Sequence, residues 1–515
     1  MPWTLPAPLF AQAPAVSAQS APRITYLDWI VIAAYAALML GVGWYYARRT
    51  RTTDDYLLGG RNMSPWKVGL SLFATLLSTL TYLAIPGEMI KYGPMVLCQL
   101  VSVPFIAAVV GWLLIPYIMR LRVTSAYEIL ENRLGLGVRM LGSSIFLTLR
   151  LFWMSLVIFA TAGVVLVPVL GLETSAVPWI CVVLGLVTVV YTSMGGLRAV
   201  VLTDVLQTLI LFGGGLLALT LITVEMGGIG GWWPSEWPSH WQEPVFWYEP
   251  KVRFTFVGAF LAMFTWYICT AGSDQMAIQR YLATRDARAA RTMFNTSLLA
   301  NLLIQPFLAA VGVALLAYFL ARPEMLPEGT SVYENADELL PIFIVRGLPR
   351  GVSGLVIAGL LAAAMSSLSS GLNSACSVVI SDFVDRFRRR KAAESSHVRL
   401  AKYVSWTIGV TVVALGALVG QVEGNLLELC YKIANLLVTP LFLLFFMAMF
   451  VPWATSFGAW VAAAYATVWA VSIAYFQVLG LSFVWMMPVS LLAGAIAGPA
   501  ASLLPLGRRN RAGDS

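Results

Sequence analysis

The sequence predicts an all-α polytopic membrane protein of about thirteen transmembrane helices, and three observations carry that expectation. Of 515 residues, 59% are hydrophobic and only 11% are charged, against about 25% charged in a soluble domain. The apolar residues fall into long runs separated by short polar stretches, as repeated crossing of a bilayer requires. Arginine and lysine gather in alternate loops, the charge asymmetry of a polytopic chain.

A window of about 19 residues places the spans near 26–47, 65–90, 94–118, 140–169, 174–193, 203–224, 253–272, 293–320, 351–381, 401–420, 426–450, 455–478 and 482–505. Each boundary is good to about four residues. Residues 1–24 are Pro/Ala/Ser-rich and lack a basic start and a proper apolar run, so they are expected to form a disordered external tail. Arg48, Arg49 and Arg51 follow the first span; Arg120, Arg122, Arg133 and Arg139 follow the third; Arg198 follows the fifth. Arg280, Arg285, Arg288 and Arg291 follow the seventh, and Arg386, Arg388, Arg389, Arg390 and Lys391 the ninth. Arg508, Arg509 and Arg511 follow the last span, whereas the loop after the eleventh is nearly uncharged. The opposite-side loops, 225–252 and 321–350, carry acids, among them Glu225, Glu243, Glu328 and Asp337. The positive-inside rule therefore places the N-terminus outside and the C-terminal tail, 507–515, in the cytoplasm of an inner (plasma) membrane protein. An odd number of spans independently puts the two ends on opposite sides. The loops reach only about 30 residues, so no soluble domain is expected within the region 25–506.

Several interruptions of these apolar runs carry chemistry. Thr75, Ser78, Thr79 and Thr81 break the second span in its first half, and Pro86-Gly87 interrupt it again. A proline removes a donor and clashes with the carbonyl one turn back. An unwound helix here frees carbonyls that are tolerable in a membrane only if they line a cavity or meet a cation. The ninth span holds the run AAAMSSLSSGLNSACSVVISD at 362–382, with Ser366, Ser367, Ser369 and Ser370 in five consecutive positions. At 3.6 residues per turn Ala363 shares a face with Ser366 and Ser367, and Ser366 shares one with Ser369 and Ser370. Such hydroxyls are expected to face protein, water or an ion rather than lipid. Two overlapping clusters of neutral oxygen suit a small, hard, singly charged cation, and sodium is the expected one.

Charged residues within the spans are few. Asp204 opens the sixth span, as a helix cap or as a carboxylate on an ion path. Asp274 ends the seventh and is expected to pair with Arg280 or another loop arginine. Arg150 lies about ten residues into the fourth span, where lipid exposure would cost at least ~2.5–3.5 kcal/mol. It is expected to face the interior, paired with an internal carboxylate or turned toward an anionic solute. Lys432 can pair with Glu428, one helical turn earlier. The tryptophan-rich loop 231–241 reads as an interfacial belt or extracellular cap, without chemistry. The five cysteines, scattered through apolar segments, read as small buried hydrophobes, and the two histidines fall in loops. No convergent nucleophile or metal-ligand spacing points to an enzyme.

Six stretches in fixed order resemble the sodium:solute symporter family. They are DDYLLGGR at 54–61, TSAYEILENRLG at 124–135, GGLRAVVLTDVLQ at 195–207, DQMAIQRYLA at 274–283, ADELLPIFIV at 336–345 and AAAMSSLSSGLNS at 362–374. The resemblance implies a leucine-transporter-like core of 5+5 inverted repeats, here 65–224 and 253–450, with peripheral helices at both ends. It implies a midplane site between broken helices that open the two repeats; for the second repeat the expected interruption lies within 265–273. The family's shared sodium site then falls on the carbonyls of Ala74, Leu77 and Ala363 and the hydroxyls of Ser366 and Ser367. A second sodium site, present in some members, falls on Asp204, Ser366, Ser369 and Ser370.

The resemblance further implies secondary active symport of a small solute, with one or two Na+ as coupling ions and no organic cofactor. Thr81, Gln99, Arg150, Tyr267 and Thr270 are the expected solute-binding residues. The polar groups that hold sugar in the sugar carriers correspond here to Thr81, Leu100, Val103 and Tyr267, which with Arg150 favours a small organic or inorganic anion, monocarboxylate-like. Sodium-coupled carriage of sugar, sialic acid, amino acid or vitamin is the alternative, as is a proton-coupled carrier using Asp204 or a sensor on the same fold. The expected partners are the solute and the lipid bilayer, not nucleic acid, and the carrier is expected to work as a monomer.

Overall fold

The computed structural model describes residues 24–121, 123–387, 394–418 and 426–505. The expectations for most of the N-terminal tail, for the C-terminal tail, for Arg122 and for the basic run 388–391 lie outside the described residues. Among those described there is no β-strand. The longer helices are α1 (Tyr26–Ala47), α2 (Pro65–Leu76), α3 (Thr79–Tyr92), α4 (Leu136–Ala160), α5 (Val177–Glu225), α6 (Phe256–Ser273) and α7 (Gln275–Leu282). They continue with α8 (Ala287–Ala321), α9 (Val352–Val378), α10 (Glu394–Leu418), α11 (Leu426–Phe450), α12 (Ser456–Phe476) and α13 (Met486–Ala501). Between α3 and α4, Pro94–Arg120 forms one further apolar span.

Among the described residues eleven helices are long and apolar enough to cross a membrane, and the bent pair α2–α3 makes twelve. The thirteenth crossing lies inside α5. At ~1.5 Å per residue its 49 residues would stretch more than twice the ~30 Å hydrocarbon core. The chain turns at Gly196, whose φ of 60° and ψ of −158° leave the helical region. Only glycine serves there, because a Cβ would sit 2.5 Å from the carbonyl oxygen of Tyr56.

Burial grades the helices from centre to rim. The most apolar window of α9 is 89% buried, while those of α1 and α10 are 22% and 28% buried. Glycine and alanine let α9 approach its neighbours at backbone distance: a Cβ on Gly359 would meet the Ile210 carbonyl of α5 at 3.3 Å. Large apolar side chains such as Trp112, Phe152, Trp179 and Leu209 point outward, as a lipid-facing surface allows.

The first helix break falls within the expected stretch 75–81, whereas Pro86 and the break in the second repeat differ from the sequence expectation. The second span is bent by 64° between α2 and α3, at Leu77 and Ser78, whose backbones are extended. Pro86 does not interrupt α3, which runs through it to Tyr92. Gly312 of α8 lies so close that a Cβ would be 2.6 Å from the Pro86 carbonyl oxygen, so a neighbouring helix packs on the proline turn and holds it helical. The second break falls at Asp274, one residue beyond the expected stretch. Asp274 is extended and caps α7 by accepting the Met276 N–H at 2.9 Å. A carboxylate there restarts the helix, which the apolar run before it does not require.

The tryptophan loop closes over the end of α3. Gln242 donates its backbone N–H to the Tyr92 carbonyl at 3.1 Å, and the His240 ring lies 3.0 Å from the Ile90 carbonyl. Gly93, with φ of 85°, packs under Trp241. Lys432 pairs with Glu428 at 2.7 Å, as their spacing predicts.

Candidate functional site

Ser366, Ser367, Ser369 and Ser370 of α9 are all buried, and Ser366, Ser367 and Ser370 meet oxygens of α2 just before its break with α3. Ala74 lies in the last turn of α2, so its carbonyl has no following helical donor. The Ser366 hydroxyl donates to it at 2.8 Å and contacts the Ala363 carbonyl at 3.1 Å. Three neutral oxygens from two helices thus sit within reach of one small cation, hard ligands of the kind alkali and alkaline-earth ions take. Ser367 donates to the Thr75 carbonyl at 3.3 Å, the residue beside the expected Ala74. Leu77 lies in the break itself, with φ of −92° and ψ of 104°.

One turn away stands a second group. Asp204, fully buried on α5, accepts Ser71 at 2.5 Å and Ser370 at 3.3 Å through Oδ2, while its buried Oδ1 has no partner among the described residues. Ser369 does not reach it and donates to the Ser366 carbonyl at 3.1 Å. Of the four residues expected at a second cation site, the structure joins Asp204 directly to Ser370 alone. The place beside Oδ2 is taken by Arg280. Its guanidinium donates to Thr75 Oγ1 and Ser370 Oγ at 2.6 Å each, to Ser71 Oγ at 3.1 Å and to Asp204 Oδ2 at 3.4 Å.

Arg280 therefore corrects the loop-charge reading. It belongs to α7, which is buried along its whole length, and it is not a cytoplasmic loop charge. Its expected partner Asp274 pairs with Arg150 of α4 instead. The break at Asp274 explains the exchange: Oδ1 turns back to cap α7, leaving Oδ2 for the arginine entering from α4.

Beside these groups a cavity of about 160 Å³ opens between the broken helices, α4, α8 and α11. Thr81, Gln99, Arg150, Tyr267 and Thr270 all line it. Asn301, Gln305, Tyr431 and Asn435 line it too and escaped the sequence reading. The available signal was two polar pairs four residues apart, on single faces of otherwise apolar spans. Tyr431 donates to Gln99 at 3.1 Å, Gln99 to Gln305 at 2.9 Å and Gln305 to Asn301 at 3.4 Å. At the end of this chain Asn301 Nδ2 has no partner among the described residues, nor have Arg150 Nε and Thr270 Oγ1. Unpaired buried polar atoms cost about 1–3 kcal/mol each. Three such atoms belong to residues of α4, α6 and α8 that line this one cavity, which marks it as a polar site.

Two broken helices, neutral oxygens at one break and a polar cavity beside it are the parts of an ion-coupled carrier. The model of the Sodium:solute symporter family matches residues 56–465, and the chain belongs to that family. It is 30% identical over 440 residues to the sodium/sialic acid symporter SiaT of Proteus mirabilis, covering 83% of this chain and 85% of that one. It is 30% identical over 451 residues to the sodium-coupled monocarboxylate transporter 1 of Xenopus laevis, covering 84% and 70%. A solved structure of a Na+-coupled sialic acid symporter, substrate-bound, outward-open and described as revealing a novel Na+ site, superposes with a TM-score of 0.79. The identity is 27%, over 93% of this chain and 98% of that one. The fold is accordingly leucine-transporter-like, and the protein is a membrane-embedded sodium:solute symporter, not an enzyme.

Proposed function

We propose that this symporter imports a small organic anion bearing a carboxylate, driven by sodium. The observation that carries the reading is a cavity lined by Arg150, Thr270 and Asn301, whose Nε, Oγ1 and Nδ2 are buried without a partner among the described residues. A guanidinium N–H and an amide N–H can only donate, and a carboxylate only accepts. Arg150 pairs with Asp274 through one terminal nitrogen, and its Nε, unpaired among the described residues, is left to meet a guest. Two of the relatives are named for sialic acid and for monocarboxylates, both carboxylates.

In this reading sodium binds at Ala74, Leu77, Ala363, Ser366 and Ser367, between the break in the second span and α9. A second ion passes Asp204, Ser366, Ser369 and Ser370. The repeats comprise 65–224 and 253–450, with the tryptophan loop outside and the basic loops in the cytoplasm. Filling the first site favours the outward-open arrangement, the carboxylate then enters, and rocking of one helix group against the other exposes both to the cytoplasm. Each sodium moved across a 100 mV potential contributes about 2.3 kcal/mol.

The test is uptake into proteoliposomes with sodium replaced by choline at fixed pH, competed by sialic acid, lactate, pyruvate, glucose and a neutral amino acid. Sodium-dependent uptake blocked by the acids and not by glucose is expected. Competition by glucose alone would overturn the carboxylate assignment, and uptake that persists in choline would favour protons.

A further inference from the structure

We infer that Arg280 is a built-in counter-cation of the second sodium site, sharing Asp204 with the ion and weakening its hold. The inference rests on the reading of Asp204 as a sodium ligand and adds to it a residue that sets the affinity. Arg280 is completely buried, as is Asp204. Its fork gathers oxygens from three helices: Ser71 and Thr75 on α2, Asp204 on α5 and Ser370 on α9. A fifth bond, to the Met276 carbonyl at 2.9 Å, anchors it to its own helix. These oxygens would serve an alkali ion equally well, and a guanidinium occupies one side of them.

Asp204 Oδ1 is buried and has no partner among the described residues, so the carboxylate offers its full second oxygen to a guest. Without an ion the Asp204–Arg280 pair is neutral; with one sodium the group carries a net positive charge in a low-dielectric interior. That repulsion makes sodium a weak and transient occupant. Without the guanidinium, Asp204 would give its whole charge to sodium, and the ion would replace Arg280 as the group that makes burying the carboxylate tolerable. Because α7 begins at the break in the second repeat and α2 ends at the break in the first, Arg280 also links sodium occupancy to the relative position of the two broken helices.

The experiment measures sodium binding and sodium-dependent thermal unfolding of the purified protein, without transport, in Arg280→Gln and Arg280→Met, with choline as the control cation. Both variants are expected to lose stability in choline and regain it in sodium. Their sodium-induced shift in Tm should exceed that of the unaltered protein, and sodium affinity should rise tenfold or more. Variants that bind sodium no tighter, or that remain unfolded at every sodium concentration, would overturn the inference. Asp204→Asn separates it from the reading beneath: if that variant binds sodium as the unaltered protein does, the second site itself is wrong. If Asp204→Asn weakens binding while the Arg280 variants leave it unchanged, the site stands and the role of Arg280 falls.

Discussion

Replacing Arg150 by glutamine separates a structural arginine from one that also meets the solute. Arg150 is 7% exposed and Asp274 1%, so the substitution strands a carboxylate in the interior. Removing one partner of such a pair costs about 3–5 kcal/mol, and a clear drop in the thermal unfolding temperature is expected. If Nε also meets a carboxylate, the apparent KM should rise about 30-fold or more, from the loss of at least ~2 kcal/mol of a buried charged contact. The double variant Arg150→Gln/Asp274→Asn distinguishes the two losses. Asparagine caps a helix about as well as aspartate, so α7 keeps its start and the stranded charge disappears. Stability should largely return while uptake does not. Differential scanning fluorimetry and initial-rate uptake in proteoliposomes measure the two quantities. A double variant that transports its acid with unchanged KM would refute the placement of Arg150 against the solute.

Ser366→Ala removes an oxygen lying 2.8 Å from the Ala74 carbonyl; sodium affinity read from uptake should fall several-fold while the protein remains folded, and Ser367→Ala should act in the same direction. Gly196→Ala should destabilise the protein by more than ~1 kcal/mol, because alanine is strained at φ of 60° and its Cβ would meet Tyr56; unchanged thermal stability would contradict the turn. Glu131, in the short helix Glu128–Leu134, accepts Arg386 at 2.7 Å and Arg139 at 2.6 Å. Hydrogen bonds from Arg386 first, and then from Arg139, hold its carboxyl below the ordinary 4.5 despite partial burial. A depressed folded value means its stabilisation is present above about pH 4.5 and is lost as the pH falls through the lower folded value. Glu131→Gln should flatten the acid side of a Tm-against-pH curve.

What the sequence reveals follows what is periodic or costly. Apolar runs, alternate basic loops and four crowded serines are legible because a bilayer penalises every exception to them. The five cavity residues named from sequence do line one cavity, since intramembrane polar side chains have few places to go. The exact breaks were less legible. Pro86 was expected to break its helix and does not, while Asp274, an unremarkable loop acid by composition, restarts one. Whether a proline bends a helix depends on the backbone packed against it, here that of Gly312.

By itself the sequence determined that the chain crosses a membrane many times and that hydroxyls gather on one buried helix face, because these depend on local hydrophobicity and helical period. Only the tertiary structure decided which charges meet. Arg280 reads as one of four loop arginines, yet it lies at the protein's centre against Asp204, 76 residues away in the chain. Asp274 pairs with Arg150, 124 residues distant. Inside a membrane a charge must find its opposite, and which opposite is near is a property of how separate helices pack, not of either helix alone.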